Sequence, residues 1–273
     1  MISRPLVKFV LTAAMRDKLM ITLLTMIACG GALSVFLGGA SITEKESFAL
    51  VFGAAGLRFL GVIGIVLFCC FYVRRSFETK EVEFLLSRPI SRLCFLFSHA
   101  AAFMVLAALV AVTVVAVVFF LGKPNPSGLA AWGVSIAVEN MIMAVSSLFF
   151  SMVLSSASGS ALATLGLYVL SRLIGTLLGI AALPPEKTIY AILNNAMDLI
   201  SIFVPRLDMM GQTSWLVYGV QGSGGVGYLE RAGAYSHMLM SHIGVVGFMC
   251  AQGVLFVSLL MAASAYDFLR RQF

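Results

Sequence analysis

Along most of this chain, apolar residues do not alternate with polar ones; they continue for twenty residues and more with almost no charge between them. Runs of this kind occupy residues 19–39, 50–73, 93–121, 129–154, 161–183 and 243–265. A bilayer's hydrocarbon core is about 30 Å thick and a helix rises about 1.5 Å per residue, so about 20 apolar residues suffice to cross it. The pattern predicts an all-α integral membrane protein with six transmembrane helices in a single transmembrane domain, 1–273. Ahead of the first run, residues 5–18 follow a different rule. Leu6, Phe9, Val10 and Ala13 share one helical face while Lys8, Thr12 and Arg16 share the other, which predicts an interfacial amphipathic helix. A basic segment before an apolar run also begins a signal peptide, but this run is long enough to span and is expected as an uncleaved first helix.

The connections differ in length and polarity. Residues 41–47 form a short loop, and 122–127 (GKPNPS) and 155–160 form tight turns. The fifth run closes at Pro184 and Pro185, and residues 184–242 make a long connection before the last helix. Within it, residues 188–204 are apolar but interrupted by Asn194, Asn195 and Asp198. Uncompensated Asp and Asn are costly in lipid, so a re-entrant or surface helix is expected there rather than a full span, with Pro205, Arg206, Leu207 and Asp208 marking its end.

Charge then gives the orientation. Residues 74–92, RRSFETKEVEFLLSRPISR, lie between two apolar runs and carry Arg74, Arg75, Lys80, Arg88 and Arg92. Short loops rich in Lys and Arg stay on the cytoplasmic side. Arg4, Lys8, Arg16 and Lys18 precede the first span and Arg270 and Arg271 follow the last, so eleven of the eighteen basic residues fall on one side of an N-in, C-in arrangement. The composition agrees, with 60% hydrophobic and 11% charged residues against about a quarter charged in a soluble domain. The net charge of +6 is read as membrane-flanking charge facing anionic lipid headgroups, and no nucleic-acid partner is expected.

Candidate chemistry is sparse. Cys29, Cys69, Cys70, Cys94 and Cys250 are scattered without a CxxC pair, and His237 and His242 are five apart and so on different helix faces; no metal site is expected. GSGGVG at 222–227 matches GxGxxG literally, but it lacks the strand and helix of a dinucleotide-binding unit and is read as a flexible loop. No GxxxxGK[ST] occurs, since the Gly122-Lys123 pair is followed by Pro124, so any ATP that drives the protein is bound by another chain. Without HExxH, a Ser/His pair or an Asp pair in the spans, an enzyme is not expected. Gly175 and Gly179 form a GxxxG, and Gly61 and Gly64 lie close together; close helix packing is the default reading, with a dimer contact as the alternative.

Two groups of residues remain. In the 74–92 segment, Glu78, Glu81 and Glu83 precede Phe84, Leu85 and Leu86, which predicts a short amphipathic helix ended by Pro89. Such a helix suits either docking to a soluble partner or simple anchoring of two helix ends. Within the spans, Arg58, Glu139 and Arg172 fall at comparable depth, about 12 to 15 Å from the outer surface at 1.5 Å per residue. An unpaired charge there costs roughly 2.5 to 3.5 kcal/mol, so Glu139 is expected to pair with Arg58 or with Arg172, as a structural pair or one facing a substrate, unless Arg58 lies nearer a span end and snorkels.

The string ETKEVEFLLSRPISR resembles the cytoplasmic loop of ABC-2 type permeases, through Glu78, Glu83, Leu85, Leu86, Ser87, Arg88, Pro89, Ile90, Ser91 and Arg92. Lys80-Glu81 stands where that family usually has Gly-Thr, and Ser98-His99 where Gly-Lys often follows. The plan of the chain is also similar, with 1–18 as an elbow helix and 184–242 as an extracytoplasmic connection. The resemblance implies the membrane subunit of an ABC exporter in a cytoplasmic (inner) membrane, paired with a second copy or a similar permease. It further implies that 74–92 is a coupling loop, formed by Glu78, Glu81, Glu83, Leu85, Leu86, Arg88, Pro89, Ser91 and Arg92, that sits against a separate ATPase subunit binding ATP and Mg, with no cofactor in this chain. The alternative is an ion-coupled secondary transporter protonated at Glu139.

Overall fold

The structure, a computed structural model, describes residues 2–40, 45–87, 91–122, 124–181, 204–213, 217 and 234–270. These residues are helical with no strand among them. The helices are α1 (Arg4–Arg16), α2 (Lys18–Ala40), α3 (Lys45–Glu78), α4 (Glu81–Leu86), α5 (Arg92–Leu121), α6 (Pro126–Val153), α7 (Ala157–Ala181), α8 (Leu207–Gln212) and α9 (Ala234–Arg270). Among the described residues, six of them, α2, α3, α5, α6, α7 and α9, are long and apolar enough to cross a membrane, so the chain is a multi-pass membrane protein. Their bounds lie close to the six apolar runs. The last helix starts earlier than its run, because residues from Ala234 continue into it through a break at Gly244, whose φ of 73° lies in the region that favours glycine.

The bundle is built around α6. Its apolar window is 67% buried, against 28% for α2 and 22% for α9. Helices α3, α5, α7, α8 and α9 all pack against it. The more peripheral helices turn large apolar side chains outward, among them Phe36, Phe120, Leu162 and Val254. In water such a surface would drive aggregation, whereas in lipid it is the solvated face. The polar residues follow the opposite distribution: Ser135, Glu139, Asn140, Ser146 and Ser147 are all buried on α6. Among the described residues, the helix least exposed to lipid is therefore the one that carries more buried polar side chains than any other, in keeping with the cost of polar groups in hydrocarbon.

α2 and α3 approach closely through glycine. A Cβ on Gly64 would collide with the Leu23 side chain, including its Cγ, so the contact requires a residue without one.

The chain's first helix, the end of α3, the start of α5 and the end of α9 meet at one end of the bundle. Ser3 N–H donates to Ser98 Oγ at 2.9 Å, and the Phe95 and Phe268 rings stack 5.9 Å apart. Arg75 pairs with Asp17 at 3.2 Å, while the other carboxylate oxygen of Asp17 accepts from the Leu19 N–H at 2.8 Å and caps the start of α2. On α1 the buried stripe is Leu6, Val10 and Ala14, against α5. Phe9, expected on that face, is instead exposed: the inward stripe has strict four-residue spacing, and Phe9 lies off it.

The overpacking at Gly64 gives the first prediction. Gly64→Val forces α2 and α3 apart and is expected to destabilise the protein by about 1–3 kcal/mol, read as a lower thermal midpoint in detergent.

Candidate functional site

Glu139 sits midway along α6 and is wholly buried. From α3, Arg58 donates through Nε to Glu139 Oε2 at 2.5 Å, and its Nη2 pairs with the same oxygen. From α7, Arg172 donates through Nη2 to Glu139 Oε1 at 2.6 Å. Each carboxylate oxygen thus has its own guanidinium. The expectation of one partner or the other is corrected: Glu139 holds both, because a carboxylate has two oxygens and three helices converge at its level.

Side chains that the sequence did not single out complete the cluster. Arg58 Nη1 donates to Thr213 Oγ1 at 3.3 Å, and the Thr213 and Ser135 hydroxyls lie 2.8 Å apart, where either can donate. Arg172 Nε donates to the Tyr168 hydroxyl at 3.2 Å, and its guanidinium lies 5.4 Å from the Phe59 ring centre and 5.5 Å from that of Tyr168. A planar cation set against two rings loses less on leaving water than one set among aliphatic groups. Two of these residues follow from spacing alone: Ser135 and Glu139 are four apart on α6, and Tyr168 and Arg172 are four apart on α7, so each pair shares a helix face. Thr213 carries no such signal.

Thr213 comes with α8. Pro205 to Asp208, expected to mark the end of the preceding outer segment, lead into a buried helix that begins at Leu207, with Met210 and Thr213 fully enclosed and α8 packed on α6 and α7. Arg206 and Asp208 form a second buried pair, with two bonds of 3.0 Å from Nε and Nη2 to the two carboxylate oxygens. Gly175 of the GxxxG faces Asp208, and Gly211 faces Arg172 Nη1; a Cβ on either would collide with the charged group. The close approach expected at Gly175 therefore admits a side chain of α8 rather than a second long helix. The re-entrant helix expected over 188–204 lies, apart from Val204, outside the described residues, as does 218–233, which includes the loop at 222–227.

At the opposite end, the 74–92 segment forms α4 as expected. Lys80, with φ of 57°, turns the chain between α3 and α4. Glu78 pairs with Arg74 at 3.1 Å, Glu81 accepts from Ser76 Oγ at 3.0 Å, and the Ser91 side chain accepts from the Cys94 N–H at 3.2 Å to cap α5, which begins at Arg92. The apolar face differs from the one expected: Val82 is buried and Leu85 partly buried against the core, whereas Phe84 is 59% exposed. Val82 and Leu85 are three apart and share the inward face; Phe84 falls off it. Arg88, Pro89 and Ile90 lie outside the described residues, as do the side chains of Glu83 and Leu86.

Compared with known protein families and with curated proteins, the chain matches none.

Removing the central carboxylate strands two buried cations, so Glu139→Gln is expected to destabilise by about 3–5 kcal/mol. Arg172→Met leaves a one-to-one pair and costs less. The swap Glu139→Arg with Arg172→Glu recovers only part of the loss, because Arg58 then faces an arginine. Thermal unfolding of the four proteins in detergent gives this order.

Proposed function

We propose that this chain is the membrane-spanning subunit of an ATP-driven exporter of the ABC-2 type. It works in a cytoplasmic membrane with a separate ATPase subunit and a second permease, its own copy or a similar chain. The observation that carries this reading is the string ETKEVEFLLSRPISR, together with the form it takes: a short helix set between two spans, tied to the bundle by Val82 and Leu85, and presenting Phe84 outward. A rigidly seated helix with one exposed aromatic suits a soluble partner whose movement is to reach the spans; an anchoring loop needs no such projection. In this reading the end of the bundle where α1, α4 and the end of α9 gather faces the cytoplasm, and α1 is the elbow helix.

The charge cluster supports the same reading over ion-coupled transport. A protonatable carboxylate that drives a transport cycle needs a state in which it is neutral. Protonating Glu139 would leave two guanidinium groups packed together without a counter-charge. The cluster is better suited to hold α3, α6, α7 and α8 in register than to carry a proton.

The test is biochemical. The full chain is expected to co-purify with a nucleotide-hydrolysing subunit whose turnover it changes. Glu83→Lys and Arg92→Glu are each expected to abolish that coupling while leaving the thermal midpoint of the chain unchanged. Normal stimulation in both variants would remove the loop from the mechanism, and transport in vesicles lacking any ATPase would favour the ion-coupled alternative.

A further inference from the structure

Beside the charge cluster, on the next residue of α6, stands a polar side chain that nothing so far accounts for. Asn140 is fully buried, and neither its Oδ1 nor its Nδ2 has a hydrogen-bond partner among the described residues. It lies at the junction of α3, α5 and α6. A Cβ placed on Gly61 would stand 3.9 Å from Asn140 Nδ2, 3.4 Å from Val110 Cγ1 and 3.6 Å from Val114 Cγ2. Arg58 is three residues before Gly61 on α3, so this junction flanks the cluster. A buried amide with neither group bonded is among the costliest arrangements a membrane helix can hold, since the donor and the acceptor both forfeit their hydrogen bonds.

We infer that Asn140 and the bare backbone of α3 at Gly61 form a buried binding site for a water molecule on the flank of the Arg58–Glu139 pair. The chemistry of the amide selects the occupant. Both an N–H donor and a carbonyl acceptor are unmet, so a partner that only accepts, such as an anion, or only donates, such as an ammonium, satisfies half of the group; water does both. A Cβ at Gly61 would meet no atom closer than 3.4 Å, so α3 presents open backbone on the side of the amide. The backbone carbonyls of α3, each keeping a second lone pair beyond its helix bond, provide the further contacts that a buried water requires. The consequence is that the intramembrane polar region is wider than the ion pairs alone and reaches from α7 across to α5.

Gly61→Ala separates a hydrated junction from a dry one, because the two shift its midpoint in opposite directions from the parent. In a dry junction Gly61→Ala is neutral or stabilising: alanine is the better helix former, and its methyl meets all three neighbours at ordinary contact distances. Gly61→Ser is then no worse than the parent either, because its hydroxyl meets an amide that had no partner. In a hydrated junction the methyl evicts the water, whereas the serine hydroxyl comes within bonding reach of the amide and replaces it. The expected result, from thermal unfolding of the full chain purified in detergent, is a midpoint lowered by roughly 2–4 °C or more in Gly61→Ala and restored towards the parent in Gly61→Ser. Asn140→Leu is expected to lower the midpoint as well, whereas a truly orphaned amide would be relieved by it and the midpoint would rise. A Gly61→Ala protein at or above the parent, or a stabilised Asn140→Leu, overturns the inference. Should Asn140→Leu fail to insert, the sign of the Gly61→Ala shift against the parent decides alone.

Discussion

One carboxylate shared between two guanidinium groups is the constraint around which the bundle is arranged. In water a pair of this kind is worth little, because each ion keeps its hydration. In a bilayer the alternative to pairing is a bare charge in hydrocarbon, so Arg58 and Arg172 must each reach Glu139 and the helices that carry them must lie at one depth. That requirement fixes the relative height and rotation of α3, α6 and α7 more tightly than apolar packing can, since one apolar contact substitutes readily for another in lipid. It also explains why α6 is central: a helix whose side chain answers two neighbours from two directions cannot stand at the edge.

The same cluster draws in a segment that belongs to no span. α8 is only six residues long and would not persist by itself. It is held by burial of Leu207 and Met210, by the Thr213 hydroxyl beneath Arg58, and by two glycines that let charged groups pass close to the neighbouring backbone. The polar network and the apolar packing are thus not separate layers; each occupies positions the other leaves open.

How much of this was legible in the sequence depends on which force set each feature. The six spans were readable because membrane thickness acts on composition over twenty residues at once, and a few polar residues do not obscure it. The three intramembrane charges were readable for the same reason, since Arg58, Glu139 and Arg172 stand alone in apolar surroundings. Their joint pairing was not, because it depends on the convergence of three helices far apart in sequence. Thr213 and α8 were illegible on stronger grounds: a threonine in an irregular connection has no periodicity to betray it, and only its long-range contacts reveal its place. Phe84 and Val82 mark the limit at finer scale. Over six residues the 3.6-residue repeat completes fewer than two turns, so the sequence gives the helix but not which side faces inward.

Asp17 unites two jobs that proteins usually divide. One of its oxygens begins the first crossing by capping Leu19, and the other grips Arg75 at the far end of the second. Because both bonds leave the same rigid carboxylate, a tilt at the end of α3 either shifts the first crossing's starting point with it or breaks the exposed Arg75 pair, so these two neighbours in the membrane share one weak pivot.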